Sequence, residues 1–201
     1  RKYFPPLVIT LVFTGILVFY LYRITYFNFF MFDELYYSGA AMEMYENKGD
    51  SNFQHPPLGK WLISLPFYIM GDSWSLSWRI APLVFGFSGL VVTYFFAKRI
   101  GLVWWQSLVV ALCLVGSVSW YVLSRTAMLD IFLSFFVVLS AYIFYVYLEK
   151  NKFSRDYSTY SHTEYLLLAA VVTGLAGLCK WSGFFPFLFY LFFYFFYLEG
   201  T

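Results

Sequence analysis

GLVWWQSLVVALCLVGSVSWYVLS, residues 101–124, contains no charged side chain. An α-helix needs about 17–25 apolar residues to cross the hydrocarbon core of a membrane, so this run is predicted to span one. Charge-free runs of similar length occupy residues 3–22, 80–97, 131–148 and 181–198. Residues 165–179 form a shorter run, which becomes long enough if Lys180 extends its ammonium group to the membrane surface. The sequence therefore predicts six transmembrane helices.

The composition indicates the same class of protein. Of the 201 residues, 61% are hydrophobic, 26% are aromatic and only 12% are charged, whereas soluble domains carry about 25% charged residues. A soluble domain of this size cannot bury so many aromatic side chains, because too much of its chain stays at the surface. The net charge of +2, with no basic stripe, argues against nucleic-acid binding. We therefore predict an all-α, polytopic integral membrane protein.

The positions of the basic residues predict the orientation of the chain. In short connections, Lys and Arg accumulate on the cytoplasmic side of a membrane. One side of the predicted bundle carries such a group: Arg1, Lys2, Lys98, Arg99, Lys150, Lys152 and Arg155. We therefore expect the N-terminus to be cytoplasmic, and the long loop 28–76 to lie on the outer or lumenal face.

The outer face collects ionisable residues that the orientation signal does not require. They are Asp33, Glu34, His55, Lys60, Arg79, Arg125, Asp130 and Lys180. Ionisable groups at membrane depth are costly, which makes them candidates for function. Within the loop, residues 61–71 are too short to span and contain Pro66, so we expect an interfacial or re-entrant segment.

The adjacent carboxylates Asp33 and Glu34 admit two interpretations. On a helix with 3.6 residues per turn they project about 100° apart, so one can face a reaction centre as a general base while the other binds the loop or a metal ion. Alternatively, Asp33 caps the N-terminus of a helix predicted over residues 35–48. The residues alone leave both interpretations open.

The cations predict contacts with an anion. His55 and Lys60 flank a helix that can begin at Pro57, and helix N-termini favour anions. Arg79 and Arg125 suit bidentate contacts with a phosphate. The alternatives are that His55 only staples the loop and that the cations bind lipid headgroups at the interface. Together with the carboxylate pair, the cations resemble a site for a lipid phosphate and a proton acceptor.

Five sequence motifs, in this order, resemble the protein O-mannosyltransferase family, and its prokaryotic members in particular. The motifs are FDE at 32–34, HPPLGKW at 55–61, WR at 78–79, SRTAMLD at 124–130 and KWSG at 180–183. The resemblance implies a GT-C-type helix bundle with a large first outer loop. It also implies that residues 1–201 form the N-terminal transmembrane catalytic module of a longer protein, and we expect the chain to continue beyond Thr201.

The resemblance further implies a reaction and a set of site residues. Mannose moves from a polyprenyl-phosphate donor to Ser/Thr hydroxyls of translocated proteins, with inversion at the anomeric carbon. Asp33 is implied as the catalytic base, with Glu34 beside it. Arg79 and Arg125 are implied either to contact the donor phosphate or to organise the site. The substrate-binding set as a whole is His55, Lys60, Arg79, Arg125, Asp130 and Lys180.

The expected partners are the lipid-linked donor, the protein acceptor and membrane lipids. The sequence requires no cofactor, although a carboxylate pair is compatible with a divalent metal. The expected location is the plasma membrane or the endoplasmic reticulum membrane.

One competing function is a GT-C transferase that glycosylates a lipid, such as a relative of the lipid A aminoarabinose transferases. A second is a secondary transporter, which would place ionisable residues near the midplane and repeat its hydropathy between halves. The sequence has neither feature.

Overall fold

The computed structural model describes residues 4–153 and 162–198, and these are helical with short connections. The elements are α1 Phe4–Leu21, α2 Glu34–Tyr45, α3 Leu58–Ser64, α4 Phe67–Met70, α5 Ser75–Arg99, α6 Trp104–Val115, α7 Val118–Leu123, α8 Leu129–Phe153, α9 Thr163–Cys179, a 3-10 turn Trp181–Phe184 and α10 Phe185–Leu198. The all-α prediction is therefore confirmed for this part of the chain. Some residues used in the sequence predictions lie outside the described residues. They are Arg1, Lys2 and Arg155 of the basic group, Tyr3 at the start of the first predicted span, and Thr201; the side chain of Lys152 is also not described.

Among the residues that the structure describes, three helices are long and apolar enough to cross a membrane, namely α1, α5 and the Leu129–Asn151 part of α8. The other predicted spans correspond to shorter elements. Residues 165–179 lie in α9, and residues 181–198 divide into the 3-10 turn and α10. The structure thus supports an integral membrane protein with three candidate spans, and the count of six stays a prediction.

The predicted span 101–124 is divided into α6 and α7. Helix α6 ends at Val115, and the Ser117 hydroxyl accepts a hydrogen bond from the Trp120 backbone nitrogen at 3.4 Å, which caps the start of α7. The Trp120 indole donates to the Gly86 carbonyl at 3.3 Å. It also packs so closely on Gly89 that an added Cβ would lie 2.5 Å from the ring. Packing of α7 on α5 therefore accompanies the break.

Helix α5 begins at Ser75, five residues before the predicted start of the span at residue 80. Asn28 supports this start, because its side-chain oxygen accepts a hydrogen bond from the Ser75 backbone nitrogen at 3.2 Å. The extension places Arg79 inside the helix, where its side chain is 2% exposed. The sequence predicts that this residue precedes the span, so the observed start of α5 is earlier than predicted.

The loop 28–76 contains α2, α3 and α4, with Pro66 separating the last two. Helix α3 contacts α2, α5, α8 and α9, so the loop lies against the ends of three long helices. The helix predicted over residues 35–48 is observed as α2, which ends at Tyr45 and begins one residue earlier, at Glu34. The loop thereby brings its ionisable residues to the ends of α5, α8 and α9.

Candidate active site

A buried ion pair joins α2 to α5. The Arg79 Nε donates to Glu34 Oε1 at 2.9 Å, and the Arg79 Nη2 donates to Glu34 Oε2 at 2.8 Å. The Glu34 side chain is 0% exposed and the Arg79 side chain 2%. Two parallel charge-assisted hydrogen bonds form the strongest geometry for this pair of groups. The pair therefore fixes the start of α2 against the second turn of α5.

The remaining N–H groups of Arg79 all bind backbone carbonyls. Nη1 donates to Ile24 at 3.0 Å and to Phe27 at 2.7 Å, and Nη2 donates to Phe29 at 2.9 Å. With the two bonds to Glu34, these contacts use all five N–H donors of the guanidinium group. No donor is left for a phosphate. Of the two roles considered for Arg79, the geometry favours organising the site over contacting the donor.

Glu34 is saturated in the same way. Its Oε2 accepts a hydrogen bond from the Met31 backbone nitrogen at 2.9 Å, and its Oε1 accepts one from Ala127 at 3.0 Å. Ala127 belongs to the connection between α7 and α8, so one carboxylate ties three parts of the chain together. Its assignment to the catalytic pair stays a prediction, and the hydrogen bonding favours a structural role.

Asp33, by contrast, is exposed and has no side-chain hydrogen bond or ion pair within the described residues. It occupies the N-cap position of α2 with φ −69° and ψ −2°, and its side chain makes no cap hydrogen bond. The interpretation of Asp33 as a side-chain N-cap is therefore wrong. Its carboxylate is available to a substrate.

The turn before α2 explains why neighbouring carboxylates point in different directions. Phe32 adopts φ +52°, a left-handed conformation that costs a bulky residue about 1–2 kcal/mol. Two hydrogen bonds between Met31 and Glu34 close this turn, one from the Met31 nitrogen to the Glu34 side chain and one from the Glu34 nitrogen to the Met31 carbonyl. The turn directs Glu34 inward and leaves Asp33 at the surface.

Lys60 is also fully buried, at 0% exposure, and organises the segment before α3. Its ammonium group donates to Asp50 Oδ2 at 2.5 Å, to the His55 carbonyl at 3.0 Å and to the Asn52 carbonyl. These bonds use its three N–H donors. Lys60 was predicted to bind substrate or to extend toward the headgroups, and the observed contacts instead favour a clamp on residues 50–55.

We expect Lys60→Met to loosen this segment. The change leaves the Asp50 carboxylate and two carbonyls without their donor, which costs about 2–4 kcal/mol locally. Limited proteolysis should then cleave within residues 50–57 at least tenfold faster. The matched control is Lys48→Met, whose side chain in the same loop is 67% exposed and pairs with Glu46 at the surface. Equal cleavage rates in the two variants would contradict the clamp.

A partly exposed ion pair lies beside the clamp. The Lys180 Nζ donates to Asp130 Oδ1 at 2.7 Å, and the two side chains are 27% and 31% exposed. Lys180 follows α9 in an extended conformation, and Asp130 lies in the first turn of α8. This pair retains N–H donors and oxygen acceptors for a ligand, unlike the saturated pair of Glu34 and Arg79.

His55 lies close to both lysines. Its ring centroid is 5.8 Å from that of Tyr37, and its Nδ1 is buried without a partner in the described structure. Partial burial, followed by the positive charges of Lys180 and Lys60, lowers the pKa of His55 below its usual value. Two carboxylates oppose this shift of the pKa, those of Asp130 and Asp33. His55 is therefore neutral at neutral pH, and its ring can form a hydrogen bond with a substrate as donor or as acceptor.

Arg125, unlike Arg79, keeps hydrogen-bond donors that no described residue uses. Its Nη2 donates to the Tyr22 carbonyl at 2.5 Å, its Nη1 donates to the Tyr121 hydroxyl, and its guanidinium carbon lies 4.9 Å from the centroid of that ring. The buried Nε has no partner within the described residues. Arg125 thus combines a half-buried positive charge with unused N–H groups, which is what a phosphate requires.

The described residues contain no group of three or more His, Cys, Asp or Glu side chains that could hold a metal ion. A divalent ion at this site would take most of its ligands from a substrate phosphate and water, as Mg²⁺ commonly does. The protein ligands available to it are the exposed Asp33 and the half-exposed Asp130.

The geometry divides the predicted site residues into three groups. Glu34, Arg79 and Lys60 are buried and fully bonded. A second group keeps hydrogen-bonding capacity and consists of Asp33, His55, Asp130 and Lys180. These residues lie close together, since the charges of the other three act on the pKa of His55. Arg125 adjoins the end of α1, where its Nη2 donates to the Tyr22 carbonyl, and it also keeps unused N–H groups. Sequence reasoning missed Tyr37, Asp50 and Tyr121.

Comparison with known proteins adds a family. The protein-family model described as "Dolichyl-phosphate-mannose-protein mannosyltransferase" matches residues 9–198 of this chain. A polyprenol-phosphate-mannose–protein mannosyltransferase of Mycolicibacterium smegmatis is 27% identical over 178 residues, which cover 79% of this chain and 34% of the relative. The protein of that name from Corynebacterium glutamicum is 26% identical over 180 residues, or 77% of this chain and 34% of the relative. An uncharacterised protein of Aquifex aeolicus is 28% identical over 179 residues, or 85% and 34%. The chain thus spans about a third of the length of these curated relatives.

Proposed function

Because this chain belongs to the dolichyl-phosphate-mannose-protein mannosyltransferase family, we propose that the protein transfers mannose from a polyprenyl-phosphate donor to Ser/Thr hydroxyls of secreted proteins. The relatives from Mycolicibacterium and Corynebacterium are named for a polyprenol-phosphate-mannose donor and a protein acceptor. The observation that carries the proposal is the exposed Asp33 carboxylate, which has no partner among the described residues and directly precedes the buried pair of Glu34 and Arg79.

The proposed reaction is an inverting displacement. Asp33 accepts the proton of the Ser/Thr hydroxyl as its oxygen attacks the anomeric carbon. The new C–O bond forms on one face of the sugar while the bond to the phosphate oxygen breaks on the other. The polyprenyl phosphate leaves with the bonding electrons. It needs positive charge rather than a proton donor, so a single carboxylate base is sufficient.

The proposed phosphate contacts are Arg125 and Lys180. Both side chains carry a positive charge and keep N–H groups that no described residue occupies. Arg79 and Lys60 contribute indirectly in this proposal, since one orients α2 and the other orients residues 50–55. The assignment of direct and indirect roles rests on the burial and the hydrogen bonding of these four cations, which the sequence alone does not reveal.

The protein is an integral membrane protein, and we propose that residues 1–201 form a GT-C-type module with loop 28–76 on the outer or lumenal face. In this proposal the remaining crossings are α6 together with α7, α9, and α10 together with the 3-10 turn before it, beside the three candidate spans. The donor phosphate would then meet Asp33 where the helices reach the membrane surface. A translocated protein could approach from the aqueous side.

A transfer assay tests the proposed function. The complete protein in lipid vesicles is supplied with polyprenyl-phosphate-[³H]mannose and a Ser/Thr-containing peptide, and the peptide and the lipids are separated and counted. We expect label in the peptide and none in a matched peptide with Ala at the acceptor positions. Label in a lipid product, with none in the peptide, would contradict the protein acceptor and support the lipid-acceptor alternative.

Cysteine labelling tests the proposed orientation. In a Cys113→Ser background, which removes the exposed native thiol, Lys48→Cys should react with a membrane-impermeant maleimide added outside intact cells. Lys98→Cys, at the opposite end of α5, should react only after permeabilisation. Labelling of the second variant alone in intact cells would overturn the orientation.

A further inference from the structure

Tyr37 lies four residues after Asp33 on α2, so the two side chains project from the same face of the helix. The Tyr37 side chain is only 5% exposed, and its ring packs 5.8 Å from that of His55. Its hydroxyl accepts and donates no hydrogen bond within the described part of the chain, yet it is not sealed from solvent. The ring is therefore fixed by packing while its hydroxyl stays free to form a hydrogen bond with a molecule that binds beside α2.

The charges around this hydroxyl indicate what it can bind. Burial, followed by the negative charges of Asp33 and Asp130, raises the pKa of Tyr37 above its usual value. The phenol therefore stays protonated at neutral pH and can donate a hydrogen bond. Two carboxylates nearby disfavour a phosphate at this point. A neutral group that bears hydroxyls suits the same surroundings, since it can both accept from the phenol and donate to the carboxylates.

The spacing connects Tyr37 to the reacting centre. One helical turn rises about 5.4 Å, a distance comparable to the width of a hexose ring. If Asp33 faces the anomeric carbon, a hydroxyl one turn further along α2 faces the far side of the sugar ring.

We propose that the Tyr37 hydroxyl hydrogen-bonds to a ring hydroxyl of the donor sugar, which makes Tyr37 a specificity-determining residue. This inference rests on the proposed function, because it requires that Asp33 meet a sugar-phosphate donor. It assigns the sugar, rather than the phosphate, to the space between Asp33 and Asp130. The matching control is Tyr36, the neighbouring tyrosine on α2, which is 62% exposed.

Donors that lack single hydroxyls test the contact. The complete protein and its Tyr37→Phe and Tyr36→Phe variants are assayed with mannosyl donor and with its 2-, 3-, 4- and 6-deoxy analogues. A hydrogen bond between neutral groups corresponds to about a 3- to 10-fold change in kcat/KM. With the mannosyl donor, we expect Tyr37→Phe to have a kcat/KM lower than that of wild type by this factor. With the one deoxy donor that lacks the contacted hydroxyl, we expect the variant and the wild type to have the same kcat/KM. Tyr36→Phe should follow the wild-type pattern throughout.

The outcomes separate this inference from the proposed function. If the wild-type protein transfers mannose and Tyr37→Phe responds to every deoxy donor by the same factors as wild type, the Tyr37 contact is refuted and the proposed function stands. If the wild-type protein transfers no mannose, both are refuted. The Phe variant retains the ring that packs on His55, and an unchanged thermal midpoint would verify that it folds.

Discussion

Replacing Asp33 with Asn is expected to lower mannosyl transfer by a factor of about 10²–10⁴, the usual contribution of a general base. The amide has the shape of the carboxylate but cannot accept the proton of the acceptor hydroxyl. Initial rates of peptide mannosylation at saturating donor and acceptor measure the effect. Because the Asp33 side chain makes no cap hydrogen bond and is exposed, the thermal midpoint should stay at the wild-type value.

The control for this variant is Asp72→Asn. Asp72 belongs to the same loop and carries the same charge, but it lies just before α5 with no hydrogen bond or ion pair to another described residue. It should transfer mannose at the wild-type rate. Transfer by Asp33→Asn within about tenfold of that rate would be too fast for the loss of a general base.

Replacing Glu34 with Ala is expected to cost about 3–5 kcal/mol of stability, because it leaves the buried Arg79 charge without its counterion. The change also leaves the backbone nitrogens of Met31 and Ala127 without an acceptor. Loss of folded protein on heating in detergent measures this effect. The variant should unfold at a markedly lower temperature than Asp33→Asn, although the two residues are adjacent.

A second arginine–glutamate pair provides the comparison. Arg99 and Glu149 join α5 to α8 at 2.6 Å, but their side chains are 38% and 31% exposed. Such exposed pairs contribute about 0–1 kcal/mol, so Glu149→Ala should barely change the unfolding temperature. If Glu34→Ala is no less stable than Glu149→Ala, the buried pair does not hold the site together.

The fold class was predictable from the sequence because burying apolar side chains in a membrane requires long charge-free runs, and these are visible without any tertiary information. Helix boundaries were less predictable. The early start of α5 at Ser75 depends on a hydrogen bond from its backbone nitrogen to Asn28, 47 residues away in the chain. The break in residues 101–124 did have a local signal, since Ser117 after Gly116 is a favourable N-cap.

The sequence indicates which residues are candidates for the site, but it does not distinguish their burial or their hydrogen bonding. Arg79 and Arg125 are the same residue type near helix ends. They differ because Arg79 meets a carboxylate and three carbonyls from distant parts of the chain. Lys60 and Lys180 differ for the same reason. The helical spacing does show that Asp33 and Glu34 diverge, but which of them faces inward depends on the turn at Phe32.

The spacing of the residues also indicates where Tyr37 lies relative to Asp33. Tyr37 follows Asp33 by four residues in a segment predicted to be helical, so a shared face could have been inferred from sequence. Its burial against His55 could not, because that contact joins α2 to the segment before α3.

Single-turnover transfer by the Asp33→Asn variant tests whether Asp33 is the catalytic base while its neighbour Glu34 stabilises the structure. Purified complete protein is loaded with polyprenyl-phosphate-[³H]mannose, mixed with excess acceptor peptide and quenched over time. We predict that the variant binds donor as wild type does and forms mannosylated peptide at least a hundredfold more slowly. Formation of product at the wild-type rate would exclude Asp33 as the base.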